Sequence, residues 1–445
     1  MKKLECRNMK TLECRNITLS NKETKICIPI TGTICDEVIS QAKDVKKLNP
    51  DIVEWRADFY QIENQEKATN EIIFILEEIN KVLKEIPIIF TFRTANEGGE
   101  RQIDFETYKK YCNIVAEEAE KNNVAFIDLE AYGNKNEKCI YELIEDIHRC
   151  NVKIIGSNHH FDKTPAEEEM VDILCQMDKM GVDVCKLAVM PKKENDVVAL
   201  INASKIVDKK IEKPIITMSM AELGAVTRVC TSLTGSVLTF AAGVNASAPG
   251  QIKSEAVRYL IDISKGCEMS GNIALIGFMG TGKTTMSEAL SRITGFEEVD
   301  VDKYIVDNAG MEISNIFEKY GEQYFRDLET KALQELQDRK GQIISCGGGA
   351  VLRDENVEIL KKGSVIVLLT ATPETIFDRV KDHTHRPILN NDMSLNHVKE
   401  LMNKREPRYQ AVADIKVDVN ANDRVMSCYD MLQKLEQRGF IKINK

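Results

Sequence analysis

Eight short runs rich in β-branched and aromatic residues recur through the first part of the chain: Ile26–Ile30, Ile52–Trp55, Ile88–Phe92, Ala125–Leu129, Lys153–Gly156, Val182–Leu187, Ile215–Met218 and Ser236–Phe240. A longer amphipathic stretch separates each run from the next. This is the rhythm of βα units around a parallel sheet, because parallel neighbours require a long crossover. Eight such units in about 240 residues match a (β/α)8 TIM barrel in count and size. The spacing therefore predicts an α/β barrel over residues 23–266. It also predicts where chemistry would be built, at the mouth shared by the strands' C-terminal ends.

A change of composition at Lys265–Gly271 precedes a new apolar strand, Asn272–Ile276, and residues 271–445 are expected to form a separate α/β domain. At the other end, Leu4–Asn8 and Leu12–Asn16 both read Leu-Glu-Cys-Arg-Asn; two copies cannot build a solenoid, so residues 1–22 are expected to be a loose terminal segment. The formal charge of -10 argues against nucleic acid as a partner. No run approaches the roughly 18 apolar residues of a membrane span. The basic start Met-Lys-Lys lacks an apolar core region and a small-residue cleavage site, which makes a cytoplasmic location the expectation. The 13 cysteines include no C-x-x-C pair or Cys/His cluster, so reduced thiols are expected rather than disulfides or structural zinc.

Reactive side chains collect at the predicted strand ends. Glu54 and Arg56 close the second strand, Arg93 the third with Glu97 beyond it, His159 and His160 follow the fifth, and Ser219 closes the seventh. Lys186 lies inside the apolar sixth. Burial there favours the neutral amine, a nucleophile toward carbonyls, unless the lysine is paired with Glu54 or Glu130. Together with His159 on a neighbouring strand, and Arg93 and Arg228 for a carboxylate, Lys186 would make a site for proton abstraction beside an iminium.

In the second part, Gly277-Phe-Met-Gly-Thr-Gly-Lys283-Thr284 fits G-x-x-x-x-G-K-[ST] directly after an apolar strand. Its glycines let backbone N–H groups close around phosphates, Lys283 reaches the outer phosphates, and Thr284 suits Mg²⁺. Asp300 and Asp302 follow in Val-Asp-Val-Asp, one suited to the metal shell and one to accepting a hydroxyl proton. Arg326 precedes Glu329 by three residues, and Gly347-Gly348-Gly349 permits close backbone approach.

Several stretches between residues 22 and 265 resemble the type I 3-dehydroquinate dehydratase family: Glu54-Trp-Arg-Ala-Asp58, Phe92-Arg-Thr-Ala-Asn-Glu-Gly-Gly99, Ser157-Asn-His-His-Phe161, Lys186-Leu-Ala-Val-Met-Pro191, Met218-Ser-Met220, Thr227-Arg228, Gly235–Phe240 and Ser247-Ala-Pro-Gly-Gln251. The resemblance implies an imine between Lys186 and the substrate ketone, with no cofactor. His159 would serve as acid and base, tuned by Glu97. Arg228 would take the carboxylate of 3-dehydroquinate, and Glu54, Arg56, Arg93, Ser247 and Gln251 its oxygens. Two positions depart from the family's usual pattern: His160 replaces an Asp and Thr227 a Ser.

Residues 271–440 resemble shikimate kinase, a P-loop fold of the nucleoside-monophosphate-kinase type. This second resemblance implies that Asp302, Arg326, Gly348 and Arg405 bind shikimate, with Asp302 also catalytic. ATP would be held by Gly280, Thr281, Gly282, Lys283, Thr284 and Thr285, with Arg386 on a lid over 383–391 and Mg²⁺ on Thr284 and Asp300. Arg408 stands where the family more often has an apolar residue. A homodimer through the barrel and association with shikimate dehydrogenase are further expectations.

Overall fold

The computed structural model describes residues 10–62, 67–133, 137–243, 248–381, 394–421 and 423–444. The chain divides into two compact units, Met1–Ile261 and Asp262–Lys445.

The first unit opens with an antiparallel hairpin, β1 (Thr11–Cys14) and β2 (Ile17–Ser20). There follow eight strands: β3 (Lys25–Ile30), β4 (Ile52–Arg56), β5 (Ile88–Thr91), β6 (Val124–Glu130), β7 (Lys153–His160), β8 (Val184–Val189), β9 (Ile215–Ser219) and β10 (Leu238–Phe240). They form one parallel sheet in the order β10-β3-β4-β5-β6-β7-β8-β9. The seam between β9 and β10 is nearly closed by a bridge between Ile215 and Ser236, where Val237 N–H donates to the Ile215 carbonyl at 3.0 Å. The eight runs read from the sequence are these strands.

Alternation decides what the barrel contains, because every second side chain of a strand points inward. Near the N-terminal ends these are apolar: Ile52, Ile89, Phe126, Ile155, Val184 and Ile216 belong to one buried cluster. One pleat on, the same faces carry Glu54, Thr91, Asp128, Ser157 and Lys186, all buried. Strands β4 to β8 thus change from apolar floor to polar wall with their period of two unbroken, while β9 stays apolar with Met218.

Residues 11–20 are not the loose segment expected of 1–22. The hairpin's alternating Cys14, Ile17 and Leu19 are buried in the same cluster as the apolar floor. Lys10 pairs with Asp208 on the helix Glu194–Lys210 at 3.0 Å, with both side chains buried. The second copy of the repeated pentapeptide therefore contributes Leu12 and Cys14 to the barrel floor, while its Arg15 and Asn16 form the exposed turn. Leu19 is fully buried, so Leu19→Ala should destabilise the first unit by about 2–5 kcal/mol. Urea unfolding followed by the fluorescence of the lone Trp55 would read this as a lowered midpoint; an unchanged midpoint would mean the hairpin is not part of the cooperative core.

In the second unit, β11 (Cys267–Met269) pairs with β17 (Ile441–Ile443), so the segment read as a linker contributes a short antiparallel ribbon. Between them lies a five-stranded parallel sheet of order β13-β14-β12-β15-β16: β12 (Asn272–Ile276), β13 (Glu297–Asp300), β14 (Gln342–Ser345), β15 (Ser364–Thr370) and β16 (Ile415–Asp418). The first of these in the chain, β12, is central, and the order reverses there. In open α/β sheets that is where ligands bind, beyond the strands' C-terminal ends.

Candidate active sites

The mouth of the barrel holds a cavity of about 500 Å³ whose walls include Glu54, Arg56, Arg93, Glu97, His159, Lys186, Arg228 and Gln251. Eight of the nine barrel residues singled out in the sequence are thereby brought together. The ninth, Ser247, lies outside the described residues.

Lys186 is 4% exposed, and its Nζ donates to Asp128 Oδ2 at 2.8 Å. Its carboxylate partner is therefore neither Glu54 nor Glu130, the two expected from sequence. Asp128 sits on the inward face of β6, one pleat deeper than Glu130, whose own carboxylate is taken by Arg93 and Thr94. The Lys186 ammonium also lies 4.4 Å from the centre of the Phe240 ring, a cation–π contact. Asp128 was missed in the sequence, although Phe126-Ile-Asp128-Leu-Glu130 puts it on the same strand face as Glu130.

Arg93 joins the network from β5's end, pairing with Asp128 and donating to Ser157 Oγ at 2.9 Å and to Glu130 at 3.3 Å. Burial opposes ionisation of Asp128, but Arg93 and Lys186 overcome it and hold the carboxyl well below its usual range. Arg56 is fixed separately by two hydrogen bonds to the carboxylate of Asp58, at 2.8 and 2.7 Å. Glu54 accepts from Thr91 at 2.8 Å.

His159 Nδ1 lies 2.9 Å from Glu97 Oε2, and Asn158 holds the other Glu97 oxygen at 3.1 Å. Burial pushes Glu97 up to about 8, against the pull of Arg93. Burial, with Arg93 and Lys186 adding to it, moves His159 well below the usual imidazole value. The pair thus shares one proton near neutrality and leaves the imidazole neutral. His160 points to the opposite face of β7 and is itself lowered, by burial and Lys163, so it adds no charge beside His159.

Arg228, on the one-turn helix Val226–Val229, is 2% exposed. It meets only the Phe240 carbonyl at 3.4 Å, the Pro249 carbonyl at 3.3 Å and the Met218 sulfur at 3.7 Å, and its Nε has no partner among the described residues. Burial lowers it to about 10. A cation held in this way, without a carboxylate, is a site for an anion. Thr227, in place of the family's Ser, keeps a hydroxyl that accepts from Ser219 N–H at 3.0 Å.

In the second unit the glycine-rich loop joins β12 to the helix Lys283–Thr294. Gly280 and Gly282 take φ of 80° and 81°, open to glycine at little cost, and this curls the backbone into a cradle. Lys283 Nζ donates to the Gly277 and Phe278 carbonyls at 3.0 and 3.2 Å. Thr284 Oγ1 donates to Asp300 Oδ2 at 2.7 Å, and Asp300 caps the helix Val301–Ala309, accepting from Lys303 N–H at 3.1 Å.

Glu329 is fully buried, bonded to Arg326 Nη1 at 2.9 Å, and burial raises its carboxyl despite that partner. The glycine triplet is what admits these charges. A Cβ on Gly347 would stand 2.6 Å from Glu329 Oε1 and 3.1 Å from Asp302 Oδ1; one on Gly349 would stand 2.5 Å from Arg326 Nη2. A Cβ on Gly348 would point at the phosphate loop and make only ordinary contacts there, with Met279 N and Gly277 O, and the Gly348 carbonyl accepts from Tyr409 Oη. Glu329 entered the sequence reading only as an ion-pair partner; its burial needed the fold.

Arg408, the departure noted in the sequence, is engaged elsewhere: Nε donates to the Val351 carbonyl at 2.8 Å and Nη2 pairs with Asp354. Arg405 lies 5.9 Å from the centre of the Phe278 ring in the phosphate loop, with its buried Nη1 unpartnered. Arg386 and the whole of the expected lid, 383–391, fall outside the described residues.

The type I 3-dehydroquinase family model matches residues 26–267, more than half of the chain. The chain belongs to that family. Residues 279–436 match the shikimate kinase family model, so the dehydroquinase barrel is fused to a shikimate kinase domain. The barrel half is 40% identical over 248 residues to the 3-dehydroquinate dehydratase of Listeria welshimeri, covering 56% of this chain and 95% of that protein. Against the Clostridioides difficile dehydratase the figure is 38% over 249 residues, covering 56% of this chain and 94% of that protein. A crystal structure of a Clostridium difficile type I 3-dehydroquinate dehydratase, with covalently modified comenic acid, superposes with a TM-score of 0.53 at 36% identity, covering 57% of this chain and 98% of that one.

Two expectations follow for this family pairing. Because His159 is depressed, a reaction needing its neutral imidazole should keep its rate as pH falls through about 6.5, the ordinary histidine value, and decline only well below it. A pH profile of dehydratase kcat with its acid limb at 6.5 or higher would contradict the burial argument. In the kinase half, Arg405→Met should raise the shikimate KM by about tenfold or more, whereas Arg408→Met should leave it within about threefold. Steady-state kinetics reversing that order would exchange the two roles.

Proposed function

We propose that the barrel dehydrates 3-dehydroquinate to 3-dehydroshikimate through an imine on Lys186, and that the second domain transfers the γ-phosphoryl group of ATP to shikimate. One observation carries the first assignment. A buried lysine, a neutral histidine with its carboxyl partner and a buried arginine lacking a carboxylate all face one cavity.

In the barrel, Arg228 binds the substrate carboxylate, while Glu54, Arg56, Arg93, Gln251 and Ser247 hold its other oxygens. Lys186 attacks the ketone and water leaves. The resulting iminium draws electrons from the adjacent carbon, and this allows neutral His159 to remove a proton there. The enamine then returns its electrons to expel the β-hydroxyl, which takes its proton back from the imidazolium. Glu97 keeps the imidazole in one tautomer and orientation throughout. Hydrolysis of the imine releases product, so the whole reaction needs no cofactor.

In the kinase domain, Gly280, Thr281, Gly282 and Thr285 bring backbone and side-chain donors to the ATP phosphates, with Lys283 on the outer ones. Thr284 and Asp300 offer two hard oxygens in contact, a set suited to a Mg²⁺ that keeps several waters and takes phosphate oxygens as well. That ion would supply charge neutralisation at the phosphates. Asp302 accepts the proton of the attacking hydroxyl, Arg326 and Arg405 hold the shikimate carboxylate, Gly348 lies beside the ring, and Arg386 reaches the phosphates from the lid.

We place the domains at 23–266 and 271–445; Cys267–Met269, in the stretch between them, pairs with Ile441–Ile443 of the second. The two reactions are separated by a reduction, because 3-dehydroshikimate must become shikimate before it can be phosphorylated. A cytoplasmic location, a dimer through the barrel and association with shikimate dehydrogenase fit this role. Co-sedimentation tests the last two.

Borohydride added with 3-dehydroquinate should fix a reduced adduct on Lys186, located by peptide mass spectrometry, and Lys186→Ala should give none. No adduct in folded, saturated protein would overturn the imine assignment. Lys283→Ala should abolish phosphoryl transfer and leave dehydration intact.

A further inference from the structure

A buried carboxylate that accepts from three side chains, Arg93, Ser157 and Lys186, is one to which the reaction sequence above assigns no task. We propose that Asp128 is the counter-ion of the reacting nitrogen, pairing with the Lys186 ammonium at rest and, without moving, with the iminium formed on the same atom. The proposal rests on Lys186 being the imine-forming residue.

Charge conservation motivates it. An ammonium and a ketone combine to give an iminium and one water: the C–N bond forms, the C–O bond breaks, two of the three N–H protons leave with the oxygen, and one stays on nitrogen. The nitrogen therefore carries one positive charge before and after, and in each state it has a proton to donate. In a buried site, that charge must be matched nearby.

Asp128 meets the requirement by position. It is 2% exposed, and its two oxygens are divided between separate tasks. Oδ1 accepts from Ser157 Oγ at 2.6 Å and from Arg93, while Oδ2 accepts from Lys186 Nζ at 2.8 Å. The strands fix this division. Lys186 is in register with Ser157 on the neighbouring strand and Ser157 with Glu130 on the strand beyond; Asp128 lies one pleat below Glu130 on the same inward face, and its carboxylate reaches both Ser157 Oγ and Lys186 Nζ. No rotamer change is needed when the lysine nitrogen becomes trigonal. On its other side the nitrogen faces the Phe240 ring at 4.4 Å, which also favours a positive charge.

The same bonds prevent Asp128 from acting as a base. With Arg93 and Ser157 on one oxygen its affinity for a proton is low, so it does not neutralise the iminium, and the nitrogen keeps the charge that makes it an electron sink. His159 remains the group that moves the carbon-bound proton. Asp128 touches only the nitrogen.

Borohydride reduces the protonated imine far faster than the neutral one, so the pH profile of trapping reads the charge. In the wild-type chain with 3-dehydroquinate, trapping on Lys186 should persist to higher pH than the imine of the same substrate with a simple alkylamine. Asp128→Asn keeps the shape and removes the charge. It should shift the profile to lower pH and reduce dehydratase kcat by about 10²–10³-fold, with KM changed much less because Arg228 is untouched. Asp128→Glu should recover part of the alkaline trapping. Wild-type trapping that decays together with the alkylamine imine would overturn the proposal, as would an Asp128→Asn profile identical to wild type. A merely structural aspartate would lower kcat without shifting the profile. If Asp128→Asn fails to fold by circular dichroism, the wild-type comparison decides. Absence of any wild-type adduct would instead remove the imine reading itself.

Discussion

A carboxylate shared between two buried cations organises the barrel. Asp128 pairs with both Arg93 and Lys186 where their side chains are buried, and it offsets the cost of removing those charges from water. The consequences reach across the mouth. Arg93, held by Asp128 and Glu130, disfavours a charge on His159. The neutral histidine then shares its proton with Glu97, whose carboxyl is raised by the same burial. Acid, base and nucleophile are thus set by a single arrangement of fixed charges at and beyond the C-terminal ends of four adjacent strands, β5 to β8.

The kinase domain solves a similar problem with backbone instead of side chains. A buried carboxylate and a guanidinium, Glu329 and Arg326, are brought against a strand end where only glycine leaves room for them. The three glycines looked from sequence like a place where a ligand approaches the backbone. Two of them first admit the protein's own charged groups, which stand where they can act on a ligand beside Gly348. The phosphate loop follows a more local rule, since its left-handed glycines and the strand before it lie within about a dozen residues of one another.

Local patterns therefore made much of the architecture legible. Eight β-branched runs at regular spacing define the barrel, and a glycine-rich loop after β12 defines the nucleotide end of the second domain. Failures occurred where a pattern was too short or its partner too distant. The hairpin at residues 11–20 offers only a few alternating residues, and nothing local reveals that Leu19 meets the barrel floor. The strand Cys267–Met269 is just three residues long and acquires its partner from Ile441–Ile443. Arg405 and Arg408 are indistinguishable by spacing, and differ because one is tied to Val351 and Asp354 while the other faces the phosphate loop.

Lys186 draws the line between the two kinds of information. Its sequence determined that a lysine stands in an apolar strand of a barrel, that His159 lies at a neighbouring strand end, and that a phosphate-binding loop begins a second domain. These follow from periodicity and residue type, which act over a few positions of chain. Which carboxylate meets the lysine was decided by the packed barrel: Glu130, in register with Ser157 and Lys186, is held by Arg93 and Thr94, and Asp128, one pleat deeper, is the one that reaches Nζ. Tertiary structure likewise decided that Arg228 has no carboxylate partner and that His159 is neutral, because burial and the sum of surrounding charges exist only once strands distant in sequence enclose one cavity.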